Sequence, residues 1–280
     1  MLGEVHNVRG RAAAVAEAAE RAMDHARKAG DLPRVDLAIS RLGVALPFGP
    51  MPVEQAIGRM RELLDQTRGR RWEAWTLRAL ARLEARRGRF AEARALLARG
   101  MAIVEELGLR FSLSLFLLTG GEIEAMAGEP VAAERLLRDS YELFGRLGHK
   151  WSIVVAPNLA EVLHQQGRDE EARRLTEEAE ALAEPDIPEQ FLWRKARAKV
   201  LAAQGEVEEA ERLAREAVAL AECTDQLEEH AEALLTLAEV LRQTGRAAEA
   251  TPALRDALRL CQQKGNTVLA RRAQEALGST

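Results

Sequence analysis

Between residues 68 and 99 the chain carries ten arginines against three glutamates, with Trp72 and Trp75 among them. A guanidinium is a planar, permanently charged fork. It grips a carboxylate through two parallel hydrogen bonds and stacks on an indole face. The combination suits an anionic or carboxylate ligand, and phosphate backbones present the same kind of target. The same residues also have a structural reading. Each tryptophan buries about 150–250 Å² in a core, and the arginines then occupy solvated helix faces.

Other chemistry has thinner support. His6, His25, His149, His164 and His230 are scattered, and none has a second histidine four residues away. No cysteine lies at ligand spacing, so no metal site is expected. The chain has no Gly-x-Ser-x-Gly elbow and no phosphate-cradling Gly-x-x-x-x-Gly-Lys-Ser/Thr loop. Carboxylates abound, but in runs such as Glu170, Glu171, Arg173 and Arg174 they read as solvated pairs along a helix. No catalytic residue and no cofactor is expected.

The elements that must carry these residues show up as a repeat. Gly88, Gly128, Gly167, Gly205 and Gly245 stand 38 to 40 residues apart, each between two apolar helical stretches. Glycine ends a helix by entering the left-handed region without a Cβ clash. Five residues after each comes Ala93, Ala133, Ala172, Ala210 or Ala250; seven before each comes Ala81, Gly121, Ala160, Ala198 or Ala238. Small side chains at matched places let two helices approach closely, and Leu96, Leu136, Leu175 and Leu213 are expected to fill the gaps. A hairpin of this kind cannot bury its apolar face alone and must stack on its neighbours.

The predicted pairs are 70–87 with 90–106, 110–127 with 130–146, 150–166 with 169–183, 187–204 with 207–222 and 226–244 with 247–263. Residues 4–29 read as a second helix whose first helix is missing, which suggests a chain cut from a longer one or one that starts irregularly. Residues 33–46 and 52–67 read as a first, irregular pair joined by the turn Leu46–Pro52, whose three prolines exclude a helix. Asn266 starts a last helix that caps the open end. Pro157 and Pro252 fall inside helices, where each demands a bend or a shifted boundary. The expected fold is all-α, a curved superhelix of about six hairpins plus terminal helices, forming one elongated domain over 1–280.

Composition narrows the setting. No 18-residue apolar run exists, so no membrane span is expected, and no signal peptide is evident at the N-terminus. Cys223 and Cys261 do not make a disulfide framework and are expected reduced and half-buried, which fits the cytoplasm. Residues 1–110 hold 20 basic and 14 acidic residues, a net of +6; residues 111–280 hold 20 and 30, a net of −10. The acidic remainder argues against nucleic acid as a partner.

The pattern of small residues, glycine and alanine resembles the tetratricopeptide repeat, lengthened by a little more than one helical turn per unit and without its closing proline. The runs LWRKARAKVLA (192–202), LLTLAEVLR (234–242), the closing Lys-Gly-Asn at 264–266 and ALPFGPMPVEQAI (45–57) carry a more specific likeness. They resemble the C-terminal repeat region of bacterial signalling proteins that join an adenylate/guanylate cyclase module to an AAA-type, STAND-like ATPase. The resemblance implies a non-catalytic sensor arm whose concave face binds a protein or peptide segment, with those modules as possible partners in a parent protein. The alternative is a sensor of a small anionic molecule. In such a stack the first helices line the concave side. That places Trp75, Arg78, Arg82 and Arg86 inward, then Leu115, Leu118 and Glu122, then Glu161 and His164, then Lys195 and Lys199, then Glu232 and Glu239.

Overall fold

The computed structural model describes residues 10–69, 72–148, 152–183 and 187–278. Positions 4–9 of the first predicted helix, Arg70, Arg71, His149 and most of the proline loop at 184–186 lie outside them.

Eleven of the described glycines hold positive φ, and they include all five that mark the repeat: Gly88, Gly128, Gly167, Gly205 and Gly245, at φ 75–84°. Each closes a first helix. The amide after it bonds back to the helix, as Arg89 does to the Glu84 carbonyl at 3.0 Å. Among the described residues fourteen helices follow and no strand does. They are α1 (Ala12–Lys28), α2 (Leu32–Phe48), α3 (Val53–Thr67), α4 (Glu73–Arg86), α5 (Phe90–Glu106), α6 (Arg110–Met126) and α7 (Pro130–Arg146). The chain continues through α8 (Ser152–Gln165), α9 (Asp169–Leu182), α10 (Ile187–Ala203), α11 (Val207–Glu222), α12 (Leu227–Gln243), α13 (Ala247–Lys264) and α14 (Thr267–Gly278).

The five regular hairpins, α4/α5 through α12/α13, pair as the repeat predicts. Ala93, Ala133, Ala172, Ala210 and Ala250 are fully buried. At the matched place on α6, a Cβ on Gly121 would sit 2.5 Å from Leu137 Cγ. The gap-filling positions are one residue later than expected in three units. Leu97 and Leu137 are buried and Thr176 stands at the third, whereas Leu96, Leu136 and Leu175 are half-buried.

The N-terminal pairing differs from the expectation. α2 packs chiefly on α1 and only lightly on α3, so α1/α2 is the first hairpin, while α3 has no hairpin partner and packs mainly on α4, sharing a core with α1 and α2. The turn Ala29-Gly30-Asp31 has the same grammar as the other hairpins: Gly30 is at φ 68°, and Asp31 caps the next helix by accepting from the Arg34 amide. Pro47, expected in a turn, lies in the last turn of α2, where it forgoes one i→i−4 bond and the helix ends one residue later. Pro157 and Pro252 lie inside α8 and α13, so those boundaries stand.

The last helix does not cap an open end, and the body is not elongated. α14 reaches back to α4, and the superhelix closes on its own beginning. The accessible surface, 12830 Å², is close to the roughly 12,000 Å² expected of a compact chain of this mass.

Candidate functional site

The inner face is built from one stripe on each first helix. On α4 the spacing of three and four residues aligns Trp75, Arg78, Arg82 and Arg86. All three guanidiniums are at least nine-tenths buried. Arg78 lies over the Trp75 ring at 4.8 Å and over Phe116 at 5.9 Å; Arg82 lies over Phe48 at 4.9 Å. Trp75 meets Phe116 edge-on, with centroids 6.5 Å apart. The two readings of these residues therefore merge: the tryptophan is half core, and the arginines are interior rather than solvated.

Carboxylates of neighbouring first helices, and one from across the closure, answer most of this charge. Arg82 pairs with Glu122 of α6 at 2.6 Å and Arg86 with Glu228 of α12 at 2.5 Å. Lys195 of α10 bonds Glu161 of α8 at 2.8 Å and also Glu232 of α12; Lys199 bonds the other Glu161 oxygen at 2.5 Å. Burial opposes the ionisation of Glu161, but the two ammonium groups override it and hold the carboxyl below the usual range. Burial and Arg82 lower Arg78 to about 9. Glu229 goes the other way: burial first, then Glu228 and Glu232, push its carboxyl up to about 8, and its Oε2 is buried without a hydrogen bond.

Of the residues expected inward, His164 turns to Asp169 at the start of α9, 2.6 Å away. Leu115 and Leu118 are buried core. Glu239 is exposed and borders a separate cavity of about 490 Å³ with Arg242 and Arg272. Cys223 is exposed and Cys261 is buried, so neither is half-buried as expected.

Where the ring closes, three seams form that sequence reasoning missed. The fully buried Lys264 ends α13 and directs its ammonium at the carbonyls of Leu46, Gly49 and Met51, at 3.1, 2.5 and 2.9 Å. Each of those residues precedes a proline: Pro47, Pro50 and Pro52. Proline lacks an N–H, so this loop has three surplus acceptors, and an ammonium has three donors. Burial, then Arg86, lowers Lys264 to about 8, leaving the ammonium form at pH 7. In the second seam the Asp225 carboxylate accepts from the Ala12 and Ala13 amides at 2.7 and 2.9 Å. It caps α1, which has no side-chain cap of its own. In the third, Glu228 holds both Arg86 and the Asn266 amide, and Thr267 donates to the Arg86 carbonyl at 3.2 Å. The available signal was Lys264 opposite the proline-rich turn, but a separation of more than 200 residues hides it.

Profiles of the tetratricopeptide repeat match residues 74–107, 158–178 and 191–263. The chain carries a tetratricopeptide-repeat region. Solved structures agree in fold. The apo form of RapI superposes at a TM-score of 0.64 with 11% identity, over 99% of this chain and 97% of that one. The Cut9–Hcn1 hetero-tetramer of the APC/C gives 0.67 and 16% over 97% of this chain and 50% of that one. NprR in complex with its cognate peptide NprX gives 0.58 and 13%, over 95% and 81%. No curated protein matches the sequence. No helix of the described residues is long and apolar enough to cross a membrane.

Proposed function

We propose that this tetratricopeptide-repeat chain is a non-catalytic interaction scaffold that receives a peptide or protein segment on its inner face. The observation that carries the reading is the repeat fold itself, with charged and aromatic side chains of successive first helices converging inside it. NprR, similar in fold, was solved with a peptide, and Cut9 with a protein partner, which supports this use of the scaffold. In its setting the chain is the sensor arm of a larger bacterial cytoplasmic signalling protein, acting on cyclase and AAA-type ATPase modules, as the likeness of the 192–202 and 234–242 runs implies. Residues 1–280 act as one domain in that role. The inner face is already threaded by its own ion pairs, so a partner must bring groups that replace or join them.

The test is affinity capture from a bacterial lysate with wild type, an inner-face variant (Trp75→Leu with Glu122→Gln) and an outer-face variant (Arg212→Gln with Glu216→Gln). The reading expects partners retained by the outer variant and lost by the inner one. Identical partner sets from all three, or none from any, would refute it.

A further inference from the structure

The charges of the inner face can be matched one by one. α10 contributes Lys195 and Lys199, and both bond carboxylates, from Glu161 and Glu232. α4 contributes three guanidiniums, of which Arg82 and Arg86 bond Glu122 and Glu228. Among the described residues Arg78 bonds no carboxylate. Its contacts are the Leu115 carbonyl at 3.5 Å and the Thr119 hydroxyl at 3.4 Å, both long and both to Nη1. Thr119 Oγ1 is already committed, donating to the Leu115 carbonyl at 2.9 Å and accepting from Arg82 Nε at 3.2 Å. The Glu229 carboxyl does not make up the deficit, since it forms no ion pair with Arg78 and is uncharged below about 8.

The geometry around Arg78 is specific. One face of the guanidinium lies on the Trp75 indole and its flank on Phe116. Nη1 is turned to the α6 backbone. The remaining edge, Nε and Nη2, has no hydrogen-bond partner among the described residues, and neither nitrogen is sealed from solvent. This is the edge by which arginine takes a carboxylate side-on, with two parallel N–H···O bonds. A guanidinium that is 8% exposed and lacks an anion is costly to keep. A planar monoanion would complete both its charge and its hydrogen bonds.

We propose that the Nε–Nη2 edge of Arg78, backed by Trp75 and Phe116, is the binding site for one carboxylate group supplied from outside the chain. The carboxylate comes from a small organic acid or from a peptide, and the chemistry at Arg78 is the same. The site rests on the inner face being the working face.

Acetate is the first probe. It is titrated into the ¹⁵N-labelled full chain against sodium chloride at matched ionic strength, following the Arg78 Nε–H and Trp75 Nε1–H signals. Two blocked peptides follow: N-acetyl-Gly-Glu-Gly-amide, with a side-chain carboxylate, and N-acetyl-Gly-Ala-Ala, with a free C-terminus. The expected result is a saturable shift of both signals with acetate and none with chloride. Arg78→Gln should lose the Trp75 response, and Arg78→Lys, which keeps the charge but not the fork, should weaken it at least tenfold. Tighter binding of acetate than of either peptide assigns the site to a small acid; the reverse assigns it to a segment. Equal effects of acetate and chloride, or a full Trp75 response in Arg78→Gln, would overturn the proposal. Arg78→Met should keep or raise Tm, because it removes a cation that no carboxylate bonds. A fall in Tm as large as that of Arg82→Met would show that Arg78 only holds the fold, and would overturn it too. If acetate fails while inner-face variants still lose captured partners, the carboxylate assignment falls and the scaffold reading stands.

Discussion

Replacing Lys264 by methionine keeps an unbranched side chain, one atom shorter, and removes its three donors. In wild type those donors meet three buried carbonyls at 2.5–3.1 Å. Each carbonyl left without a partner costs about 1–3 kcal/mol, so the three together cost about 3–9 kcal/mol. Methionine avoids the penalty of burying an ammonium, which is several kcal/mol. Taking the middle of that range, about 6 kcal/mol, less about 2–4 kcal/mol for the ammonium, the net loss of closure energy is about 2–4 kcal/mol, a change of roughly 30- to 700-fold in the ratio of closed to open forms. Lys264 belongs to the α12/α13 hairpin, but the packing within each hairpin does not involve its ammonium, so the hairpins should stay folded while the ring opens. The assay is a pair of spin labels, one on the exposed native Cys223 beside the Asp225 seam and one on Ala22→Cys of α1. At pH 7 wild type should give one narrow, short distance. Lys264→Met should add a broad, longer component with little loss of helical circular dichroism. A narrow, unchanged distance in Lys264→Met would refute the reasoning, and so would loss of all structure in one step.

Glu229 sets a pH dependence. Its folded-state carboxyl is raised to about 8, above the unfolded value near 4.3. The folded form therefore binds the extra proton, and stability falls as pH rises from about 4.5 to 8. Glu229→Gln should flatten that slope in urea unfolding and be the more stable protein at pH 9; a steeper slope would contradict this. Gly121→Ala should destabilise by about 1–3 kcal/mol through overpacking against Leu137. Gly58→Ala, with nothing within 4 Å in mid-α3, should stabilise by about 0.5–1 kcal/mol. Equal urea midpoints for the two variants would refute the packing account. Burial raises the Cys261 thiol to about 12, so maleimide should label Cys223 alone in the native protein, as read by peptide mass spectrometry.

Much of this was legible because the repeat is local. Gly88, Gly128, Gly167, Gly205 and Gly245 each dictate a turn through φ alone, and the alanines around them dictate which helix faces meet. That was enough to locate the helices from α4 onward within a few residues. The first hairpin was less legible, because the three prolines at 46–52 mark a turn more strongly than Gly30 does. Gly30 carried the same turn signal as the other glycines. The candidate site was legible in position and not in pairing. A count of helical turns finds Arg78, Arg82 and Arg86 on one stripe, but nothing local announces Glu228, 142 residues beyond Arg86. Lys264 read as an ordinary basic residue in a last helical turn, since its acceptors lie 213–218 residues upstream. Sequence periodicity reports which neighbours stack, while the closure depends on how curvature accumulates over six hairpins, a quantity no single repeat displays.

Small-angle X-ray scattering of the wild-type chain at pH 7 tests the closure most directly. The contacts of Lys264, Asp225 and Glu228 predict a radius of gyration within a few ångström of the ~19 Å of a compact chain of this length, rising in Lys264→Met. A wild-type radius matching an open solenoid of the same helices, unmoved by that substitution, would contradict a ring held shut by its two ends.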